Sequence, residues 1–550
     1  MRDHGWAAAA LVVVTAINFL VFPGHTFLQS DTQIYLPILE RLWNPSLFQH
    51  EILAQQPHVS FTIYDEAAIW LRKLTGGEFQ TILAGQQILF RGLGLLGVYL
   101  IGLALGFTRS RAILLASVQG LGATIMGPSI LIFEYEPVPR ASAIGLTLFA
   151  LGLIARQHYW GAGCAAGLAF LYQVPAVYPF WLGYFLLALI PSYPERMRKH
   201  IQGLVGMAAA VVLLLVLSQM QTGAGEKQVF FSRVDEAHEA MIRARASYNY
   251  VSLWPSRNFW HYGALWLAGL IALKRIWNRA PQDWRILAWA MPAIGMLSMP
   301  VSWLLLEQLK WGLTPQIQPA RAVLYVTAFA VILSAAAGIA AAEGRRWLEC
   351  GAWFLIPFSL PAQTRTLQYL TEWASPASRR AALAALGLAT LAAVSLWLSS
   401  RLQRGWVVTL AFAAVPFWAL PNLAKVRNYP SLHHTEMDEL ANWARSQTHV
   451  DAVFLFPAVG RDLAPGVFRA KALRAVYADW KGGGQVNYLR EFMDIWLPRW
   501  RQAMEPKFVP EAPARYRRFG IDYLVVPQKQ ALSGETAVWK NDRYLVYRVP

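Results

Sequence analysis

The chain has 550 residues, of which 56% are hydrophobic and only 15% charged, with a mean hydropathy of +0.33. This excludes an ordinary soluble domain, which carries roughly a quarter charged residues. The net charge of +17 would suit a nucleic-acid binder, but no recognition motif accompanies it, and basic loops on the cytoplasmic side of a membrane explain the excess more simply.

Apolar runs predict spans near 6–23, 81–106, 112–132, 139–155, 159–173, 176–190, 203–219, 259–273, 286–306, 320–341, 347–361, 381–399 and 406–421, about thirteen in all. The first has no small-x-small cleavage site after it, so it reads as a span and not as a signal peptide. Between the fifth and sixth, Gln173-Val174-Pro175 breaks what would otherwise be one long helix, because proline removes a backbone donor. With the N-terminus cytoplasmic, alternate loops carry Arg109 and Arg111, then Arg156, then Arg196, Arg198 and Lys199. The series continues with Lys274, Arg275, Arg279 and Arg285, then Arg345 and Arg346, then Arg401 and Arg404. Only Arg379 and Arg380 run against the positive-inside rule. An odd number of spans puts the C-terminal region on the periplasmic side. The fold class is therefore a polytopic α-helical membrane protein, spanning residues 1–422, with a small C-terminal α/β domain over 423–550. Cys164 and Cys350 lie in or beside apolar runs with no metal-ligand spacing, and the soluble part contains no cysteine.

In that C-terminal part, a helix is predicted over 435–445, capped by Thr435 with Asp438 three residues on. Strands are predicted over 450–457 and 473–477, a helix over 488–504, a basic helix over 513–519 and a buried strand over 521–527. Residues 537–549 read as a hairpin. Strand and helix alternate, which points to a small α/β unit.

Four external segments are polar enough to carry chemistry. The first, residues 24–78, holds Asp31, Glu40, His50, Glu51, His58, Asp65 and Glu66. The second contains Glu134, Glu136 and Arg140; the third, 221–258, contains Asp235, Glu236, His238 and Glu239; the fourth, 307–321, ends on Gln316, Gln318 and Arg321. A carboxylate such as Asp31 beside an acceptor hydroxyl or amine can take its proton during group transfer. Glu134 and Glu136 could orient the acceptor or join Asp31 in holding a divalent cation such as magnesium or manganese. Arg140 and Arg321, each at a helix end on that face, could neutralise a phosphate leaving group.

Plainer readings stand beside these. Asp31 could simply cap the helix that begins at Thr32, Glu134, Glu136 and Arg140 could form a solvated loop with a local ion pair, and Arg321 could snorkel to the interface. His50, His58 and the Asp65-Glu66 pair read as structural. His238 and Glu239 fit the polar face of an amphipathic helix, and His433-His434 a surface position. Lys481-Gly482-Gly483-Gly484 lacks the phosphate-loop pattern of nucleotide binders.

This arrangement, a long external loop opening on Leu28-Gln29-Ser30-Asp31 after the first span, many spans and an external C-terminal domain, resembles the GT-C superfamily of integral-membrane glycosyltransferases. Two C-terminal stretches, Val453-Phe454-Leu455-Phe456-Pro457 and Phe519-Gly520-Ile521-Asp522-Tyr523-Leu524-Val525-Val526-Pro527, look like those of uncharacterised bacterial membrane proteins of this type. The resemblance implies sugar transfer from a polyprenyl-phosphate donor to an envelope lipid or glycan at a bacterial inner membrane. Asp31 would be the base, Glu134 or Glu136 the second acidic residue of the next external loop, and Arg140 and Arg321 the donor-phosphate ligands. The sequence departs from the family in having no Asp-x-Asp in either loop. The alternative class is a non-catalytic transporter or an assembly scaffold for lipid or polysaccharide. The expected partners are the lipid bilayer and a lipid-phosphate sugar, with no nucleic acid; no motif specifies an oligomeric state.

Overall fold

The computed structural model describes residues 2–55, 62–190, 194–220, 230–362, 375–457, 459–504 and 513–550. His58 lies outside the described residues.

Helix forms over most of twelve of the thirteen predicted runs and over the first part of the 112–132 run. After α1 (Arg2–Leu20), the polar segment 24–78 folds into α2 (Thr32–Trp43), the single turn α3 (Ile52–Gln55) and α4 (Tyr64–Thr75) among its described residues. Then follow α5 (Phe79–Ala104), α6 (Arg109–Gly120), α7 (Pro139–Ala155), α8 (Tyr159–Tyr172), α9 (Val174–Leu189) and α10 (Pro194–Met220). A short polar helix, α11 (Glu236–Arg245), precedes α12 (Ser256–Arg275) and α13 (Gln282–Ser302), and the turn α14 (Thr314–Ile317) leads to α15 (Val323–Glu343). The membrane part closes with α16 (Trp347–Ser359), α17 (Pro376–Ser399) and α18 (Gly405–Leu423). Among the described residues, six helices are long and apolar enough to cross a membrane by themselves. Three further apolar helices, Gly5–Leu20, Pro139–Ala155 and Val174–Leu189, are shorter. Helix α15 is the hub: every residue from Val323 to Ala342 is buried, which is why its sequence is apolar on all sides instead of along one stripe.

The third apolar run departs from expectation. Helix α6 stops at Gly120, and the chain then folds into a short antiparallel hairpin of β1 (Thr124–Ile125) and β2 (Ile130–Leu131). Gly122 and Gly127 both take positive φ there, a conformation that ends regular helix at little cost only for glycine. The break between α8 and α9 falls where Gln173 is fully extended, at φ −165°.

Beyond α18 the chain forms an α/β unit with α19 (Thr435–Gln447), β3 (Val453–Leu455), α20 (Ala464–Ala472), β4 (Ala475–Val476), α21 (Arg490–Met504), β5 (Tyr523–Pro527), β6 (Trp539–Lys540) and β7 (Tyr544–Arg548). The strand order is β4-β3-β5-β7-β6, with β4, β3 and β5 parallel and β7 antiparallel to both β5 and β6. The parallel pairs demand crossovers, and α20 and α21 lie in those connections. Thr435 opens α19 without capping it, and His434 holds the cap position with no side-chain bond. Residues 513–519 coil as a tighter 3-10 helix.

This unit packs against the 24–78 segment and α11 through a shared apolar cluster that includes Ile52, Val486, Phe492 and Trp496, with Met241 against it. Two histidines are drawn into these contacts. His238 is buried and its Nε2 lies 2.7 Å from the Val486 carbonyl oxygen, so it does not sit on a solvated helix face. His433 is half-buried, with its Nε2 2.5 Å from the Phe27 carbonyl oxygen, so it is partly exposed yet tied to the first loop. His50 is exposed and Asp65 buried.

Candidate functional site

Helix α1 hands the chain to a tight segment, Leu28 to Thr32, whose backbone donors must be satisfied before α2 can start. Asp31 occupies the cap position of α2, yet its side chain makes no capping bond. Glu136, from the loop that precedes α7, does that work instead. Its Oε1 accepts from Gln29 N (2.6 Å), Ser30 N (2.9 Å) and Thr32 Oγ1 (2.6 Å), and its Oε2 from Thr32 N (3.2 Å). Burial raises the Glu136 pKa first, the Thr32 bond opposes that shift, and the nearby Asp31 charge adds to it. Because these donors are met by Glu136, the Asp31 carboxylate is released to face elsewhere.

It faces two cations. Arg140 Nη1 lies 2.7 Å from Asp31 Oδ2, and Lys481 Nζ lies 2.5 Å from Oδ1. Lys481 also donates to Ser30 Oγ at 3.2 Å. Burial opposes the Asp31 charge, but Lys481 and Arg140 outweigh it and hold the carboxyl far below the usual aspartate range. Folding thus lowers this pKa. The ion pairs therefore contribute stability in full above the ordinary aspartate value of about 3.9, and that contribution is lost as the pH falls below it toward the depressed value.

Arg140, in the first turn of α7, is itself clamped from behind. Glu134 Oε1 accepts from Arg140 Nε at 2.7 Å and Oε2 from Nη2 at 3.3 Å, with Leu131 N donating to Oε1 at 3.0 Å. The Glu134 backbone is fixed in turn by Gln87 Nε2 at 2.7 Å and by Arg91, a buried residue of α5. Asp31 and Glu134 therefore share the Arg140 guanidinium.

These residues open onto a cavity of about 340 Å³ between the helix ends, the 24–78 segment and the C-terminal unit. Four cations line it, Arg140, Arg245, Arg321 and Lys481, against one carboxylate, Asp31. Tyr35, Tyr248, Tyr488 and Trp480 add aromatic walls, and Gln173 and Pro175 bring the α8–α9 break to its edge. Burial keeps the Tyr35 and Tyr248 phenols protonated, raising both above their ordinary value.

Arg321 and Arg245 differ from the other two cations: neither makes an ion pair among the described residues, and both carry buried nitrogens without a hydrogen-bond partner there. Arg321 sits in a 3-10 turn (Pro319–Ala322) at the entry to α15 and is 8% exposed. Its Nε is buried without a hydrogen-bond partner. Arg245 stacks 4.1 Å from the Trp480 ring and 4.6 Å from Trp496, and its Nη2 donates to the Trp480 carbonyl at 2.6 Å. A buried cation without a counter-ion is costly, by several kcal/mol, so Arg321 marks a place that an anion would stabilise.

Of the five residues the sequence singles out, Asp31, Arg140 and Arg321 meet at the cavity. Glu134 lies behind Arg140 and Glu136 beneath the Asp31 loop; neither lines the cavity. Their oxygens are taken up by Arg140 and by donors of the loop, so the donor set does not fit a divalent cation with Asp31. Among the described residues no group of three or more His, Cys, Asp or Glu side chains is placed to hold a metal. Sequence reasoning missed Lys481 and Arg245. The Lys481-Gly482-Gly483-Gly484 run was a signal, but one weighed only against nucleotide loops.

Replacing Glu136 by Ala is expected to lower thermal stability by about 2–4 kcal/mol: the stranded donors cost about 1–3 kcal/mol each, and removing a buried carboxylate offsets part of that loss. Thermal melting in detergent checks this; a melting temperature equal to wild type would show that the loop does not hang on Glu136.

No protein-family model matches the chain, and no curated protein does. Among solved structures, ArnT from Cupriavidus metallidurans in the apo state aligns over 100% of this chain and 98% of its own, at 13% identity and a TM-score of 0.49. The arabinofuranosyltransferase AftD from Mycobacteria aligns over 96% of this chain at 14% identity and a TM-score of 0.41. This chain covers 35% of AftD. Neither likeness assigns a role to any residue here.

Proposed function

We propose that the protein is a membrane glycosyltransferase that moves a sugar from a polyprenyl-phosphate donor to an acceptor on the external side of the membrane. The observation that carries this reading is the pairing, in one cavity at the level of the helix ends, of a lone carboxylate with an excess of cations. Arg321, which has no counter-ion among the described residues, is suited to the donor phosphate, with Lys481 and Arg140 beside it. The lipid chain would remain in the bilayer while the headgroup enters past the α8–α9 break.

In the resting arrangement Asp31 is a weak base, because both of its oxygens are bound by cations. Arrival of the phosphate gives Lys481 a second anion, and as Lys481 shifts toward it Asp31 regains basicity. Asp31 then takes the proton of the acceptor hydroxyl or amine. The acceptor atom forms its bond to the anomeric carbon as the bond from that carbon to the phosphate oxygen breaks, and lipid phosphate leaves with the electron pair. Attack opposite the leaving group inverts the anomeric centre. Glu134 and Glu136 hold Arg140 and the Asp31 loop in place. No metal enters this scheme.

The test is transfer by the purified protein from defined polyprenyl-phosphate sugars to a panel of envelope lipids and glycans. Release of lipid phosphate coupled to a glycosylated product supports the reading. Movement of the donor across proteoliposomes with no product would replace it with a carrier.

A further inference from the structure

The Lys481 turn is held by a buried ionic network that reaches the start of α2. Asp479 Oδ2 accepts from Gly482 N at 2.8 Å, so it grips the residue that follows Lys481. Its Oδ1 lies 2.5 Å from Arg469 Nη1, and Arg469 Nη2 donates to the carbonyl of Gln33 at 3.2 Å. Gln33 lies two residues beyond Asp31. Glu51, from the 24–78 segment, completes the set. Its Oε2 is 3.7 Å from Arg469 Nη1 and accepts from Val476 N, in β4, at 2.9 Å. Arg469, Glu51 and Asp479 are 0%, 1% and 2% exposed. Burial works against the Arg469 charge, and Asp479 and Glu51 more than offset it, so its pKa is raised.

The glycine run makes sense in this setting. A Cβ on Gly482 would fall 2.3 Å from Asp479 Oδ1 and 3.0 Å from Arg469 Nη1; on Gly483, 2.3 Å from the Trp496 ring; on Gly484, 2.9 Å from Ile34 Cδ1. The turn is bare because it is pressed between the network, α21 and α2. Apolar docking alone would seat the C-terminal unit with less desolvation cost. What the ionic contacts add is a fixed spacing between the segment that carries Asp31 and the turn that carries Lys481.

We propose that Asp479, Arg469 and Glu51 are positioning residues that set the Lys481 ammonium against Asp31, making the C-terminal unit part of the active site. The inference rests on the proposed site chemistry, but its test does not need turnover. Infrared difference titration of wild type minus Asp31→Asn isolates the Asp31 carboxyl band. In Lys481→Met, Asp31 loses a cation and is expected to protonate at higher pH than in wild type. Asp479→Asn is expected to shift the band in the same direction, because the turn loosens and Lys481 leaves. Loss of the Asp479 charge acting only through space would move Asp31 the opposite way, so the sign decides. In the Lys481→Met background, Asp479→Asn should produce no further upward shift. Glu51→Gln, which keeps an acceptor for Val476 N, serves as the milder second variant should Asp479→Asn fail to fold, and a smaller upward shift is expected. A shift in either variant that is absent or downward, or an upward shift that persists without Lys481, overturns the proposal. If the band behaves as expected while no donor supports transfer, the glycosyltransferase reading falls and the positioning role stands.

Discussion

Asp31→Asn is expected to lower kcat for sugar transfer by about 10²–10⁴-fold, the range that a general base contributes, with the donor KM unchanged or reduced. The direction of the KM effect comes from the ion pairs. Asparagine keeps the shape of the side chain but drops its charge, so Lys481 and Arg140, now bound to Asp31 at 2.5 and 2.7 Å, have more to offer a phosphate. A change confined to kcat identifies an interaction made in the transition state. Full activity in this variant would take the base role from Asp31.

Arg321→Met is expected to move activity and stability in opposite directions. Loss of a charge-assisted contact to the donor phosphate costs about 1.5–3 kcal/mol, which lowers kcat/KM by roughly 10–100-fold at 1.4 kcal/mol per decade. Without donor, the same change removes a buried guanidinium that has no ion-pair partner among the described residues and replaces it with an apolar side chain of similar length, so the melting temperature should rise. A residue that merely braced α15 would lose both together. Kinetics with a lipid-phosphate sugar and thermal melting of the donor-free protein separate the two cases; a lower melting temperature would contradict the reading of Arg321 as an unpaired anion ligand.

The sequence made some of this legible for physical reasons. Apolar length determines where a helix can lie in a bilayer, so the thirteen helix positions could be read from the runs themselves. The break at Gln173 followed from the missing donor of Pro175. The hairpin after Gly120 is not visible in hydropathy, which does not register Gly122, whose positive φ follows the helix end, or Gly127, which lies in the hairpin turn. Asp31, Arg140 and Arg321 stood out as charges at helix ends, where isolated charge is expensive. The sequence gives no sign that Glu136 caps α2 from a distance of more than a hundred residues, or that Glu134 shares Arg140 with Asp31; both depend on tertiary placement. Lys481 was hidden for the same reason. Its glycines resemble a phosphate-binding loop in composition, whereas their packing against Asp479, Trp496 and Ile34 shows that they are small because neighbours crowd them.

The most direct measurement is a density map of the protein bound to a short-chain polyprenyl phosphate. Phosphate density in the cavity, within hydrogen-bonding reach of Arg321 and Lys481 and with the lipid chain leaving toward the bilayer, is the expected result. Lipid phosphate bound elsewhere, with Lys481 and Arg140 still closed on Asp31 and Arg321 still unpaired, would contradict it.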